Sequence, residues 1–262
     1  MKLFQGKKAL ITGGTKGLGL VTARLLALEG SDVILAYRSD EASAQQAARS
    51  IESLGVRCNL IQSDLSAEGS TDKLFDQVEQ ISPKLDFYIH NAAATAFKPL
   101  VEMEAHHIDK TLNITIKSFI LGMKRVAPLM KDGGAVVTVS GMDTLRAAHG
   151  HGLLAAAKSG LETLTAYYAH ELGAKNIRVN CVNPGFFETE STKKYLGPAF
   201  PYVSAQFAKS VPVKSASPIE DIANVIVFLC SDKSKWMVGQ TLYPDGGFQF
   251  AMPPMVPSQK KG

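Results

Sequence analysis

Short apolar, β-branched runs alternate along this chain with longer stretches of helical character. The runs Ala9–Thr12, Asp32–Tyr37, Arg57–Ile61, Leu85–His90, Ala135–Ser140, Ile177–Val182 and Gln240–Tyr243 predict strands. Leu20–Leu28, Asp40–Leu54, Ser70–Ile81, Glu102–Met130, Leu153–Leu172 and Pro218–Cys230 predict helices between them. Strand and helix in strict alternation imply parallel βαβ units with right-handed crossovers, hence a doubly wound α/β sheet. Nothing in the composition marks a second domain, so residues 1–250 are expected to form one unit. In such sheets ligands bind outside the carboxyl ends of the strands, and the residues that follow each strand are read first.

The first strand end is the most informative. An apolar run stops at Thr12, glycines follow at 13, 17 and 19, and an Ala/Leu-rich helical run begins. A strand that turns through glycines into a helix leaves the first helical N–H groups unpaired at a partly positive end, where a pyrophosphate fits. Glycine also lets the backbone approach phosphates without a Cβ between them. A βα turn that is merely glycine-rich would look the same locally.

At the second strand end, Arg38 follows Tyr37 where a carboxylate would favour the free ribose 2′-hydroxyl of NAD. A cation there favours the 2′-phosphate of NADP, and Lys16 in the glycine loop is expected to converge on it. Either cation is otherwise a solvated surface charge. Asp64-Leu65 follows the third strand, with Asp64 either bonding the adenine amino group or serving as a loop or cap carboxylate. Asn91-Ala92-Ala93 follows the fourth and leaves room for a ribose; Pro184-Gly185 and Thr189 follow the sixth, where the nicotinamide carboxamide would pass.

Composition narrows the class. The net charge of +4 is spread along the chain, its longest basic runs being Lys193-Lys194 and Lys260-Lys261, so a nucleic-acid partner has little support. No apolar stretch reaches a membrane span, and the N-terminus lacks the apolar core of a signal peptide. Cys58, Cys181 and Cys230 have no metal-like spacing, so no metal site is expected and buried thiols in a reducing, cytoplasmic setting are. The tail 251–262, with three prolines, is expected to be extended or mobile.

The segments Thr12–Gly19, Asp64-Leu65, Asn91-Ala-Ala93, Asn113, Lys158, Asn183-Pro-Gly185 with Thr189, and Asp245-Gly-Gly247 resemble, in order and spacing, the short-chain dehydrogenase/reductase family over about residues 5 to 248. The resemblance implies a seven-stranded Rossmann-type sheet and a nicotinamide cofactor, here NADPH. It implies that Gly13, Thr15, Lys16, Gly17, Leu18 and Gly19 line the phosphates and that Lys158 bonds the nicotinamide ribose. It also implies that Asn113 breaks its long helix and holds water toward that lysine. Family members usually carry a catalytic tyrosine four residues before the lysine and a serine thirteen before the tyrosine. Those positions hold Leu154 and Gly141. Leucine cannot protonate an oxygen, and general acid catalysis is worth about 10²–10⁴ in rate.

The stretch from Arg146 to Lys158 resembles bacterial enoyl-thioester reductases of the same family, whose acidic tyrosine lies seven residues before the lysine. His151 occupies that position, and His149 is a second candidate; histidine is a competent donor near neutral pH. Two exposed loop histidines between glycines are the bland alternative. Segment 186–212 corresponds to the family's substrate lid, and its aromatics Phe186, Phe187, Tyr195, Phe200, Tyr202 and Phe207 either cover an apolar substrate or pack between helices.

The expected function is NADPH-dependent reduction of a conjugated carbon–carbon double bond in an enoyl thioester or enone. A carbonyl reductase or isomerase with a relocated acid, and a catalytically silent NADP-binding scaffold, are the alternatives. Leu154, Leu161, Leu164 and Tyr168 share an apolar helix face that the family buries between subunits. Light scattering at micromolar concentration is therefore expected to report a homodimer or homotetramer, and a monomer would exclude that assembly.

Overall fold

A computed structural model, describing residues 2–215 and 217–250, contains strands β1 (Lys8–Thr12), β2 (Asp32–Tyr37), β3 (Cys58–Gln62), β4 (Phe87–His90), β5 (Gly134–Val139), β6 (Ile177–Val182) and β7 (Thr241–Leu242). They form one sheet in the order β3-β2-β1-β4-β5-β6-β7, with every neighbouring pair parallel. The expected doubly wound sheet is therefore present. The order reverses direction between β1 and β4, which opens a crevice at their carboxyl ends.

The helices are α1 (Gly17–Leu28), α2 (Glu41–Glu52), α3 (Ser70–Ile81), α4 (Ala105–Leu112), α5 (Ser118–Leu129), α6 (Gly152–Leu172), α7 (Glu190–Leu196), α8 (Phe200–Ser210) and α9 (Ile219–Cys230). Successive strand residues point to opposite faces, and both faces are covered. Ala9, Ile11, Val33, Leu35, Phe87, Ile89, Ala135 and Val137 join Leu26, Ile51 and Ile226 on the face of α1, α2 and α9. Leu10, Ile34, Tyr88 and Val136 join Phe75, Phe119, Met123 and Leu161 on the face of α3, α5 and α6. Burial on both sides is why these strands read as continuous apolar runs rather than alternating ones.

One predicted element differs. The stretch Glu102–Met130 is two helices joined by a π-helical turn, Asn113–Lys117, and it starts at Ala105 after a short 3₁₀ turn. The widened turn accompanies two contacts. Asn113 Nδ2 donates to the Ser66 carbonyl at 3.2 Å, and the Thr115 carbonyl meets His90 Nε2 at 3.1 Å. His90 is fully buried at the end of β4, its other nitrogen 3.0 Å from the Tyr88 hydroxyl. Burial, aided by the nearby Lys158 ammonium, pushes its pKa down to about 3, so it is neutral at physiological pH.

Among the described residues no helix is long and apolar enough to cross a membrane. The three cysteines are free, with thiols raised by burial to about 12, 11 and 12 for Cys58, Cys181 and Cys230. The tail expected to be extended, 251–262, lies outside the described residues.

The β1–α1 junction is the tightest part of the fold. A Cβ on Gly19 would sit well inside contact distance of the Gly13 carbonyl oxygen and 2.8 Å from Asn91 Nδ2. Neither neighbour can withdraw, because Asn91 Nδ2 donates to the carbonyls of Thr12 and Gly13, at 3.0 and 3.2 Å. Gly19→Ala should therefore lower the unfolding free energy in urea by about 1–3 kcal/mol, the usual cost of overpacking. An unchanged denaturation midpoint would show that the junction can relax.

Candidate active site

The crevice is built on the glycine turn between β1 and α1. Gly13 has a positive φ of 64°, which favours glycine and turns the chain sharply off the strand. The Thr12 hydroxyl accepts the N–H groups of Asn91 and Ala92, both at 3.1 Å, so the ends of β1 and β4 are pinned together. Thr15 and Leu18 are buried beneath the turn. Helix α1 starts at Gly17 with no side chain capping its first N–H groups, which leaves an anion-binding end free. A Cβ added at Gly17 would meet only the side chain of Thr189, at 3.5 Å. The cradle is thus open toward the segment after β6 and fits a pyrophosphate.

At the end of β2 the charges are arranged differently from the expected pair of free cations. Arg38 is exposed, and its guanidinium helps lower the Asp64 carboxyl, after the larger effect of the Ser66 hydroxyl. Lys16 is ion-paired with Asp40, the N-cap of α2, which also accepts the Ser43 N–H at 3.0 Å. Lys16 first, then Ser43, hold the Asp40 carboxyl down to about 2. A phosphate arriving here would have to share Lys16 with Asp40. Asp64 Oδ1 accepts from the Ser66 N–H and hydroxyl, at 3.0 and 2.6 Å, as a loop carboxylate does. Leu65 is buried in the core below it.

Lys158, in α6, is buried, and its ammonium donates to the Val139 carbonyl at 2.5 Å. Burial lowers its pKa to about 8, against the opposing pull of Cys181, Asp143 and Glu162. One turn further along α6, the Glu162 carboxylate accepts from the Ser140 hydroxyl at 2.5 Å, Asn183 Nδ2 at 2.7 Å and the Thr144 hydroxyl at 3.1 Å. It ties the ends of β5 and β6 to the helix that carries the lysine. The i, i+4 spacing of Lys158 and Glu162 was the only trace of this node in the sequence.

Leu154 is half-buried on α6, and a Cβ on Gly141 would lie 3.7 Å from Asp143 Oδ2. A carboxylate therefore stands beside the position where the family's serine is expected. Asp143 Oδ1 is 2.9 Å from His151 Nδ1, and His151 Nε2 is 3.1 Å from the Tyr195 hydroxyl. Phe97, in the loop after β4, lies against both rings, with centroids 4.7 Å from His151 and 3.9 Å from Tyr195. His149 is exposed and makes no hydrogen bond recorded among the described residues. Asn113 donates its amide N–H to the Ser66 carbonyl. Neither Asp143 nor Phe97 carried a sequence signal, and Tyr195 was legible only as one lid aromatic among six.

Segment 186–212, expected to be the lid, contains two helices, α7 and α8, and leaves β6 through buried Pro184 and Gly185. Thr189 caps α7 by accepting the Thr192 N–H at 3.0 Å, and its methyl faces the glycine turn. Most lid aromatics are packing: Phe186 and Phe207 are buried with Val211, against Phe200 and Phe248. Tyr195 and Tyr202 are exposed instead. The Arg146 guanidinium sits 4.9 Å over the Phe248 ring and donates to the Phe248 carbonyl at 3.1 Å, joining the loop after β5 to the end of the described chain. No group of three or more His, Cys, Asp or Glu among the described residues is placed to hold a metal.

Residues 13–249 match the family model described as enoyl-(acyl carrier protein) reductase. A 1-cyclohexenylcarbonyl-CoA reductase of Streptomyces collinus is 30% identical over 94% of this chain and 88% of its own. A 3-oxoacyl-(acyl-carrier-protein) reductase of Thermotoga maritima is 32% identical over 93% of this chain and 98% of its own. Among solved structures, a short-chain dehydrogenase of Burkholderia cenocepacia in complex with NADP superposes with a TM-score of 0.87 at 29% identity, covering 94% of this chain and 99% of that one.

Arg38 is the cation at the β2 end with no carboxylate ion-paired to it in the described structure. Arg38→Ala is expected to weaken NADPH binding by about tenfold or more, the worth of a hydrogen bond to a charged group, and to leave NADH binding unchanged. Isothermal titration of both cofactors checks this; equal losses for the two would remove Arg38 from 2′-phosphate recognition.

Proposed function

This chain belongs to the short-chain dehydrogenase/reductase family, and on that premise we propose that it reduces the conjugated carbon–carbon double bond of an enoyl thioester or a similar enone, using NADPH. The observation that carries the reading is the displacement of acid chemistry within the site. The positions from which a carbonyl-directed acid and its serine partner would act hold Leu154 and Gly141. The proton-bearing groups lie instead in the Asp143–His151–Tyr195 chain, in the loop before α6 and in the lid.

NADPH, when bound, supplies the hydride. The residues that would hold it are Gly13, Thr15, Lys16, Gly17, Leu18 and Gly19 around the pyrophosphate. Arg38 would meet the 2′-phosphate, and Asp64, Leu65, Asn91 and Ala92 would border the adenosine. Lys158 would serve the nicotinamide ribose, and Pro184, Gly185 and Thr189 the carboxamide. Every other demand falls on this chain. In a ketone, hydride arrives at the carbon whose oxygen must be protonated, next to the apolar Leu154. In a conjugated thioester, hydride arrives at the β-carbon while charge develops on the carbonyl oxygen three bonds away. A donor in the displaced loop suits that geometry, and the α-carbon can take its proton from water. The family model's description and the name of the Streptomyces collinus relative support the same chemistry.

The family habit of packing the equivalent of α6 between subunits supports a homo-oligomer. Tyr167 and Ile120 are exposed on that side, beside half-buried Leu164 and Tyr168.

NADPH oxidation by the purified protein, followed with 1-cyclohexenylcarbonyl-CoA, crotonyl-CoA, acetoacetyl-CoA and cyclohexanone, tests the reading. The two enoyl thioesters should turn over and the simple ketone should be nearly inert. Faster reduction of acetoacetyl-CoA or cyclohexanone than of either enoyl substrate would assign carbonyl reduction instead.

A further inference from the structure

His151 carries the right chemistry for a proton donor, but its ring is fully engaged. Nδ1 is bonded to Asp143 and Nε2 to Tyr195, and Phe97 covers the imidazole, whose side chain is only 19% exposed. No nitrogen is left to reach a substrate oxygen. Tyr195 is the outermost member of the chain and is 41% exposed. It stands on α7, whose capping Thr189 lies against the glycine turn. Its ring meets Phe97, from the loop after β4, and its hydroxyl meets His151, from the loop after β5. Loops following three parallel strands thus converge on one phenol at the end of the sheet where ligands bind.

We propose that Tyr195, presented by the lid, is the group that hands the proton to the substrate oxygen, and that His151 and Asp143 stand behind it as its relay. The inference rests on the double-bond reduction proposed above. As hydride bonds to the β-carbon, the α,β double bond shifts to form an enolate, whose oxygen takes the Tyr195 proton. The Tyr195 O–H bond breaks, and the phenol oxygen takes the Nε2 proton of the His151 imidazolium. The imidazole is left neutral, its Nδ1–H still donated to the Asp143 carboxylate. The resulting enol passes its hydroxyl proton to water while the α-carbon gains one from water. His151 is recharged from solvent. The two electrons are those of the hydride, so one proton and one hydride are consumed per saturated product.

The environment of each member suits its part. Burial and the Asp143 charge raise the Tyr195 pKa, which makes the phenol a weaker acid than a free tyrosine, so its donation depends on His151 Nε2 behind it to replace the proton as it leaves. The Asp143 carboxylate is bonded to Nδ1, which turns Nε2 toward Tyr195. The acidic tyrosine absent from position 154 is in this reading supplied from a different element, the helix α7.

Tyr195→Phe keeps the ring on Phe97 and removes one oxygen. It should lower kcat for 1-cyclohexenylcarbonyl-CoA about 10²-fold or more and leave NADPH affinity, read by fluorescence titration, unchanged. His151→Gln retains a hydrogen-bonding side chain beside Tyr195 but cannot carry the charge. It should lower kcat and erase the part of the pH–rate profile that falls as histidine deprotonates. Asp143, Glu162 and Lys158 are the other charged groups near the relay, and any pH dependence shared by wild type and His151→Gln does not come from His151. A Tyr195→Phe variant as fast as wild type or faster, with His151→Gln slow, would make His151 the direct donor and Tyr195 a plug. That result, or two variants at the wild-type rate, overturns the proposal. A wild-type protein that reduces no enoyl substrate overturns the underlying reduction as well, which separates the two failures.

Discussion

The close approach of Gly19 to the Gly13 carbonyl is the constraint on which the rest of the site depends. It lets the first turn of α1 sit directly over the end of β1, so that its unpaired N–H groups face the crevice rather than the core. The same approach lets Asn91 reach back and bond the carbonyls of Thr12 and Gly13. Those bonds lock β1 to β4 at the place where the strand order reverses. A methyl group at position 19 would push helix, turn and asparagine apart together, and the crevice would lose its floor.

Around that floor the chain concentrates buried charge on α6. Lys158 and Glu162 lie one turn apart, and each is satisfied by strand ends rather than by the other. The lysine bonds the β5 carbonyl of Val139, while the glutamate collects Ser140, Thr144 and Asn183. Charges taken from water survive only when hydrogen-bonded, so these contacts hold the ends of β5 and β6 in fixed relation to the helix. The loop between β5 and α6 is then held at both ends, which places Asp143 and His151 where the lid can meet them.

The fold was legible because both faces of the sheet are covered. Strands β1, β2, β4 and β5 therefore show apolar runs, while the edge strand β3 carries exposed Asn59 and Gln62, and the glycine turn announced its own geometry. The exceptions have physical causes. The break at Asn113 was invisible to periodicity, since the residues on either side keep a helical apolar pattern; the contacts to Ser66 and His90 that accompany the π turn come from distant segments. Lys16 and Arg38 read as equivalent cations, yet Asp40, placed by its role as the cap of α2, takes Lys16. The lid aromatics could not be sorted, because packing and substrate contact ask for the same residue types.

The sequence alone determined the order of elements, the parallel sheet and the glycine turn, which follow from short-range spacing and burial periodicity, while the family resemblance singled out Lys158. It also determined an absence, the leucine and glycine where an acid and a hydroxyl are expected. Only the tertiary structure decided which polar groups meet near those positions. Asp143, His151, Tyr195 and Phe97 come from segments after three different strands, and no spacing along the chain links all four. Their meeting is set by the sheet order and by the length of the lid helix, quantities that appear only once the strands are side by side.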